Sequence, residues 1–593
     1  MRASVGLRVI SGVVAITAIL AGPGPVHGAH PQSVRGSGGA VASAERAATE
    51  VGLQILRDGG NAVDAAVATA LALAVVHPGA GNLGGGGFAV VRFGTEVDTL
   101  DFRETAPAAA SRDMYLGSDG EPVPKRSWVG PHAAGVPGSP VGLHELHGRY
   151  GRLPWQRVVS PAERLAGDGF VVSERLAREI VGSLELLQLF PETANVWLPG
   201  GSPPAAGTVM KLPQLATTLR HYRNDGPPAL TQGAAAAAIE TVARRYGGVL
   251  RAEDLAAYRA VWRRPVLFDA FGWKCASMSL PSSGGIILGQ TFAMLERLRW
   301  AELPRFGADR VHLLAEVWRR SFADRYRLGD PRTTQADASE LLASRWLDRR
   351  AREIRLHRAT PSDKVRPWTE EDVREPAATT HLSVVDAAGN AVGLTTTLNG
   401  RFGCGLLVPG VGILLNNEMD DFATAPGRPN EYGLVQGEAN AVVAGKRMLS
   451  SMAPIVAWRG EQLLVLGARG GSKRPTSTAH VCLTVVVDGD DLQAAVFGNV
   501  GTIVCFRVGF EDARRLAEQL DPLAAHTLTE LDPHRAWVRQ LSGGTMLEPT
   551  FVELLAPVTP RRGRAPTIVR ESRRKYATRR DVVEGNIATW FSH

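Results

Sequence analysis

The strongest constraint on how this chain folds lies at residue 379, where a polar stretch gives way abruptly to a pair of strands. Residues 361–379 are rich in Pro, Asp, Glu, Lys and Arg and poor in apolar side chains, which reads as an exposed linker. From His381 to Asp386 polar and apolar residues alternate as in a strand. DAAGN at 386–390 then offers a hairpin turn, with Gly389 and Asn390 where positive φ is wanted, and residues 391–398 form the return strand.

Upstream of the linker the pattern is mixed. Residues 41–76 predict helix, broken at Gly59-Gly60 and resumed from Asn61 as an N-cap. Gly84 to Gly87 precede a strand at 88–93; four glycines in a row permit positive φ and close approach of a neighbouring backbone. Neither a Walker-type loop nor G-x-G-x-x-G before a helix fits there, so this is no phosphate cradle. PSSGG at 281–285 reads as a turn into an apolar run, and residues 305–360 as mostly helical and Arg-rich.

At 593 residues the chain exceeds the ~250–300 at which single cores stop growing, so two lobes are expected. Arg2 and Arg8, then an apolar run at 9–21, then small residues up to Gly28, make residues 1–28 an export signal, with a secreted or periplasmic product. No other stretch looks transmembrane, so the mature chain carries no membrane span. The four cysteines at 275, 404, 482 and 505 contain no C-x-x-C pair, which argues against zinc; one disulfide stays open. Of the net charge of +7, residues 561–580 hold nine Arg or Lys against one Glu. The main body is therefore near neutral and is not expected to bind nucleic acid.

Thr379, Thr380 and His381 stand at the linker-to-strand junction. A threonine hydroxyl is a weak nucleophile until a base takes its proton, and a free N-terminal amine on the same residue can do so. Such an amine titrates near ~8. An internal threonine gains one only if the chain is cut between Ala378 and Thr379, which the junction permits without proving.

The run TTHLSVVDAAGNAVGLTTTLNGRFG resembles the start of the small subunit of γ-glutamyltransferases (γ-glutamyltranspeptidases). In the same order follow likenesses at LRDGGNAVDAAVA, GNLGGGGFAV, LDFRETAP, AAGVPGS, PSSGG, FADRYRLGDP, GILLNNEMDDF, NEYGLVQGEANAV, KRMLSSMAP and GARGGS, covering about residues 40–495. The resemblance implies an α+β N-terminal-nucleophile fold: a four-layered αββα sandwich, self-cleaved into large (29–378) and small (from 379) subunits that stay together as a heterodimer. It implies an enzyme that moves γ-glutamyl groups from glutathione-like donors to water, amino acids or peptides, through a γ-glutamyl-threonine ester and with no cofactor.

Site residues carry over one by one. Thr379 is the nucleophile for both self-cleavage and catalysis, and Thr397 orients it. Thr395, Thr397 and Asn399, two apart, share one face of the return strand. Asn399, with Glu418 and Asp421, meets the donor's α-ammonium. Arg103 grips its α-carboxylate, aided by Ser450 and Ser451. Gly470 and Gly471 form the oxyanion hole, and Tyr432 belongs to a lid loop. His381 invites a general-base role, but the N-terminal amine fills it, so His381 reads as structural.

The resemblance fades near Val496. Residues 497–593 look instead like the C-terminal part of bacterial DNA-translocating, secretion-coupling ATPases, though without a Walker lysine loop, so a fusion and a divergent tail both stand. Rival readings of the whole are a cephalosporin-acylase-like amidase of the same fold and an inactive fusion protein. An acylase for other acyl groups would not need clamps for both an α-amine and an α-carboxylate.

Overall fold

The protein was studied as a computed structural model, which describes residues 38–305, 307–334, 338–361, 364–365, 379–425, 436–471, 473–489 and 527, and four strands between 502 and 553. The expected leader, most of the linker, Tyr432 and the basic stretch 561–580 lie outside the described residues. The chain divides into two compact units, one spanning residues 33–498 and one that includes the residues after 499.

In the first unit, ten strands form two antiparallel sheets. They are β1 Gly39–Ala42, β2 Gly86–Phe93, β3 Glu96–Phe102, β4 Val261–Arg263, β5 Val266–Ala270, β6 Trp273–Ser277, β7 Thr379–Asp386, β8 Ala391–Thr397, β9 Ile455–Arg459 and β10 Gln462–Leu466. One sheet runs β1-β7-β8-β2-β3-β4 and the other β10-β9-β6-β5. They face each other across a small apolar core of Val90, Ala276, Ala391 and Val456.

Helices cover both outer faces. On the first sheet lie α1 Arg46–Arg57 and α2 Ala62–Val76, backed by α3 Trp155–Asp168 and α4 Pro213–Asp225; on the second lie α5 Gly284–Arg297, α6 Ala308–Arg325 and α7 Lys473–Val486. This is the expected αββα order. All fifteen residues of α2 are buried, which is why its sequence is apolar around its whole circumference. Asn61 caps it as predicted: its side chain accepts from the N–H groups of Val63 and Asp64, and Asp64 answers at the Asn61 N–H.

The predicted hairpin is β7–β8, in register from Thr397↔Thr379 to Ala391↔Val385. Its turn is organised by Asp386, whose carboxylate accepts from the N–H groups of Ala388 and Asn390 and, at 3.0 Å, of Ala62 at the start of α2. Gly389 has φ +80°, but Asn390 does not take positive φ; its side chain accepts from Gly94 N–H instead. Of the stretch read as helix from 41, residues 41 and 42 belong instead to strand β1.

Gly84 to Gly87 serve close approach, not positive φ, which none of them adopts. A Cβ would fall 1.9 Å from the Leu414 carbonyl oxygen at Gly84 and 2.2 Å from the Thr397 carbonyl oxygen at Gly85. Only hydrogen fits where strand β2 enters beside the end of β8.

The second unit contains β11 Thr502–Cys505, β12 Arg535–Ser542, β13 Thr545–Met546 and β14 Thr550–Glu553, joined in their own antiparallel sheet with β12 paired to all three others.

Candidate active site

Thr379 is the first residue of β7 and faces the gap between the two sheets. Its Oγ1 donates to Thr397 Oγ1 at 3.3 Å, across the register pair that closes the hairpin. Thr397 Oγ1 also accepts from Asn399 N–H at 2.8 Å, so a main-chain donor orients the hydroxyl that orients Thr379.

Thr395 lies on the same face, opposite His381, as the two-residue pleat requires. Asn399 does not: β8 ends at Thr397, and Asn399 sits beyond it with φ +70°. The pleat therefore does not set its direction. A bond does: its side-chain amide donates to the Asn417 carbonyl at 3.1 Å. Its side-chain oxygen is buried and has no hydrogen-bond partner among the described residues.

His381 is half-buried, with Nδ1 2.9 Å from Thr395 Oγ1 and Nε2 3.0 Å from Ser383 Oγ. Burial pulls its pKa down to about 3, so the ring is neutral and both nitrogens are engaged by hydroxyls. A proton acceptor for Thr379 must come from elsewhere, in keeping with a structural His381.

Asn417 leads into the acidic turn. Its Oδ1 accepts from Gly400 N–H at 2.6 Å, and Asn416 Oδ1 accepts from the N–H groups of Glu418 and Gly135. Glu418 and Asp421 occupy the short 3-10 turn Glu418–Asp421. Both reach Arg103, which follows β3: Arg103 Nη1 lies 2.5 Å from Glu418 Oε2, and Nη2 pairs with Asp421 Oδ2. Arg103 Nε donates to the Met448 carbonyl at 3.3 Å, and Nη1 approaches Glu104 Oε2 at 3.4 Å. The two halves of the expected clamp are thus in direct contact.

The electrostatics follow from burial. Arg103 and Glu418 are fully buried. Burial raises the Glu418 carboxyl to about 7, with Arg103 holding it down and Asp421 pushing it up. Glu104 is driven well above the ordinary carboxyl range by burial and by Glu418 beside it.

Ser450 and Ser451 are buried on the loop that bridges to Ser282. Ser450 N–H donates to the Pro281 carbonyl at 2.8 Å, and Ser450 Oγ accepts from Met452 N–H at 3.1 Å. Gly470 and Gly471, with φ +99° and +39°, lie one residue before the start of α7. Tyr432 lies outside the described residues, so its lid assignment finds no geometry here. Cys275, Cys404 and Cys482 are buried and free.

Three buried polar residues near these groups escaped the sequence reading: Asn417, Glu104 and Arg325. Asn417 and Glu104 lie inside quoted motifs next to assigned residues, and two adjacent asparagines in an apolar run were the available signal. Arg325, also within a quoted motif, resembles any exposed helical arginine until its burial is known.

A family model described as Gamma-glutamyltranspeptidase matches residues 48–500. The glutathione hydrolase proenzyme of Escherichia coli (strain K12) is 42% identical over 471 residues, covering 79% of this chain and 80% of its own length. Among solved structures, a gamma-glutamyltranspeptidase from Pseudomonas nitroreducens complexed with L-DON is similar with TM-score 0.54 and 37% identity, over 56% of this chain and 99% of that one. A cephalosporin acylase from Bacillus halodurans is similar with TM-score 0.68 over 89% of this chain and 99% of that one; at 23% identity this likeness speaks for the fold alone. None of these likenesses is to a DNA-translocating ATPase, so that resemblance of residues 497–593 gains no support here.

Proposed function

The chain belongs to the γ-glutamyltranspeptidase family, and from that premise we propose how its own residues carry out the γ-glutamyl hydrolysis and transfer of a glutathione hydrolase. The observation that carries the assignment is the unbroken path Thr379–Thr397–Asn399–Asn417 leading to Glu418, Arg103 and Asp421. It joins a nucleophile to buried groups of both signs, which suit the α-ammonium and α-carboxylate of a γ-glutamyl donor. A clamp of both signs also favours this substrate over the acyl group of a cephalosporin-type amide.

Maturation comes first. Thr379 Oγ attacks the Ala378 carbonyl carbon, the peptide C–N bond breaks to leave an ester and a free Thr379 amine that takes up the hydroxyl proton, and water hydrolyses the ester to release the Ala378 carboxylate and restore the Thr379 hydroxyl. That amine then takes the proton of its own hydroxyl as Oγ attacks the donor's γ-carbonyl. The N–H groups of Gly470 and Gly471 receive the developing oxyanion. The leaving amine takes the proton back, and water, an amino acid or a peptide then attacks the γ-glutamyl-threonine ester.

In this reading the large subunit runs to residue 378 and the small one starts at Thr379. Residues 1–28 direct export to a periplasmic or extracellular site. Among the described residues no helix is long and apolar enough to cross a membrane.

A denaturing gel with N-terminal sequencing tests the scheme. The wild type should give a smaller fragment beginning Thr379-Thr380-His381, and Thr379→Ala should give one uncut, inactive chain. An uncut but active wild type would overturn it.

A further inference from the structure

The clamp accounts for Arg103 but leaves a second buried cation unused. Arg325, at the end of α6, is 3% exposed, and among the described residues no carboxylate lies within ion-pair distance of it. Among the described residues its two hydrogen-bond partners are both neutral. Nε donates to Ser283 Oγ at 3.1 Å, and Nη1 donates to Gln436 Oε1 at 3.3 Å.

Each contact leads to one wall of the clamp. Ser283 donates to the Ser450 carbonyl twice, from Oγ at 2.8 Å and from N–H at 2.9 Å. Gln436 Nε2 donates to the Asp421 carbonyl at 2.8 Å. Asn440 reinforces that side: its amide donates to Gln436 Oε1 at 2.6 Å and to the Asp421 carbonyl at 2.7 Å, while its Oδ1 accepts from Leu449 N–H at 2.9 Å. One guanidinium thus braces the serine loop against the acidic turn.

A neutral side chain could make the same two bonds, and a buried cation without a counterion is costly. Burial pulls the Arg325 pKa down to about 10; Asp421 offsets this in part, while Arg103 and Arg474 add repulsion. Arg103, by contrast, is already surrounded by Glu418, Asp421 and Glu104. A carboxylate entering the clamp meets an Arg103 already paired with carboxyls and an Arg325 with no ion-pair partner among the described residues.

We infer that Arg325 is a positioning residue for donor recognition: it fixes the Ser450–Ser451 loop against Asp421 and supplies the uncompensated charge that favours a free α-carboxylate over an α-carboxamide. This rests on the clamp reading proposed above.

The test compares the self-cleaved enzyme with Arg325→Gln, Arg325→Lys and Ser283→Ala on two chromogenic anilides, γ-glutamyl-p-nitroanilide and its α-carboxamide analogue. Arg325→Gln should raise KM for the free-acid donor about tenfold, the effect of one ordinary charge-assisted contact, with little change in kcat. The preference for free acid over carboxamide should shrink by the same factor. Arg325→Lys should restore most of that preference. Ser283→Ala, which keeps the charge but cuts the tie to Ser450, should raise KM for both donors alike. Equal losses on the two donors in Arg325→Gln, or an unchanged preference, overturn the inference. Should Arg325→Gln fail to mature, Arg325→Lys decides: a retained preference supports the inference and a lost one overturns it. A wild type that hydrolyses neither donor would defeat the proposed function itself, a result distinct from an active variant with unaltered preference.

Discussion

Replacing Arg103 with glutamine removes a cation in ion-pair contact with both Glu418 and Asp421, with Glu104 also at 3.4 Å. Breaking a buried ion pair from one side costs roughly 3–5 kcal/mol, because the partner charges remain buried and unanswered. The carboxyls can escape part of that cost by taking up protons. Glu104 already lies well above its ordinary range and Glu418 near 7, and losing Arg103 moves Glu418 further up. Carboxyls raised in the folded state contribute stability that is present below their unfolded pKa and is lost as pH rises through the folded value. The destabilisation by Arg103→Gln should therefore be larger at pH 8 than at pH 6. Thermal unfolding of the uncut Thr379→Ala chain, with and without Arg103→Gln, measures it at both pH values without the complication of two fragments. In the self-cleaving background, donor KM should also rise by roughly 10- to 150-fold, the equivalent of about 1.5–3 kcal/mol for a charged hydrogen bond. A melting temperature unchanged at pH 8, a loss equal at both pH values, or an unchanged KM would refute the account of Arg103 as the charge centre of the clamp.

Glu418 should make donor binding pH-dependent: with its carboxyl near 7, donor KM should fall as pH rises from 6 to 8 and the ammonium meets an ionised partner, and Glu418→Gln should flatten that profile. Gly85→Ala places a Cβ 2.2 Å from the Thr397 carbonyl oxygen, so it should slow or abolish self-cleavage by shifting the strand end that orients Thr379, as a gel time course would show; cleavage at the wild-type rate would contradict this. Trypsin should cut the arginine-rich stretch 561–580 of the processed protein early and leave γ-glutamyl hydrolysis intact, because every assigned site residue precedes Val496; loss of activity in step with the cut would make the tail a working part of the small subunit.

The sequence by itself determined the features that depend on a few neighbouring residues. The strand through 381–386, the hairpin to the return strand and the Asn61 cap are local choices of backbone and hydrogen bonding, and the structure follows them. The ordered motifs also identified the family, since the residues proposed as nucleophile, clamp and glycine pair sit in stretches that resemble it. Gly84 to Gly87 mark the boundary of that legibility: their sequence signalled an unusual backbone, but only the strand beside them shows that the need is space and not positive φ. The same holds for Asn399, whose two-residue spacing suggested a shared strand face until the strand was seen to end at Thr397. Arg325 and Glu104 were invisible as site residues because burial and pairing arise between segments far apart in the chain. Arg103 meets Glu418 and Asp421 across more than three hundred residues, and no local pattern records which charges share a low-dielectric pocket. That pairing, and the charge left over on Arg325, was decided by the tertiary structure alone.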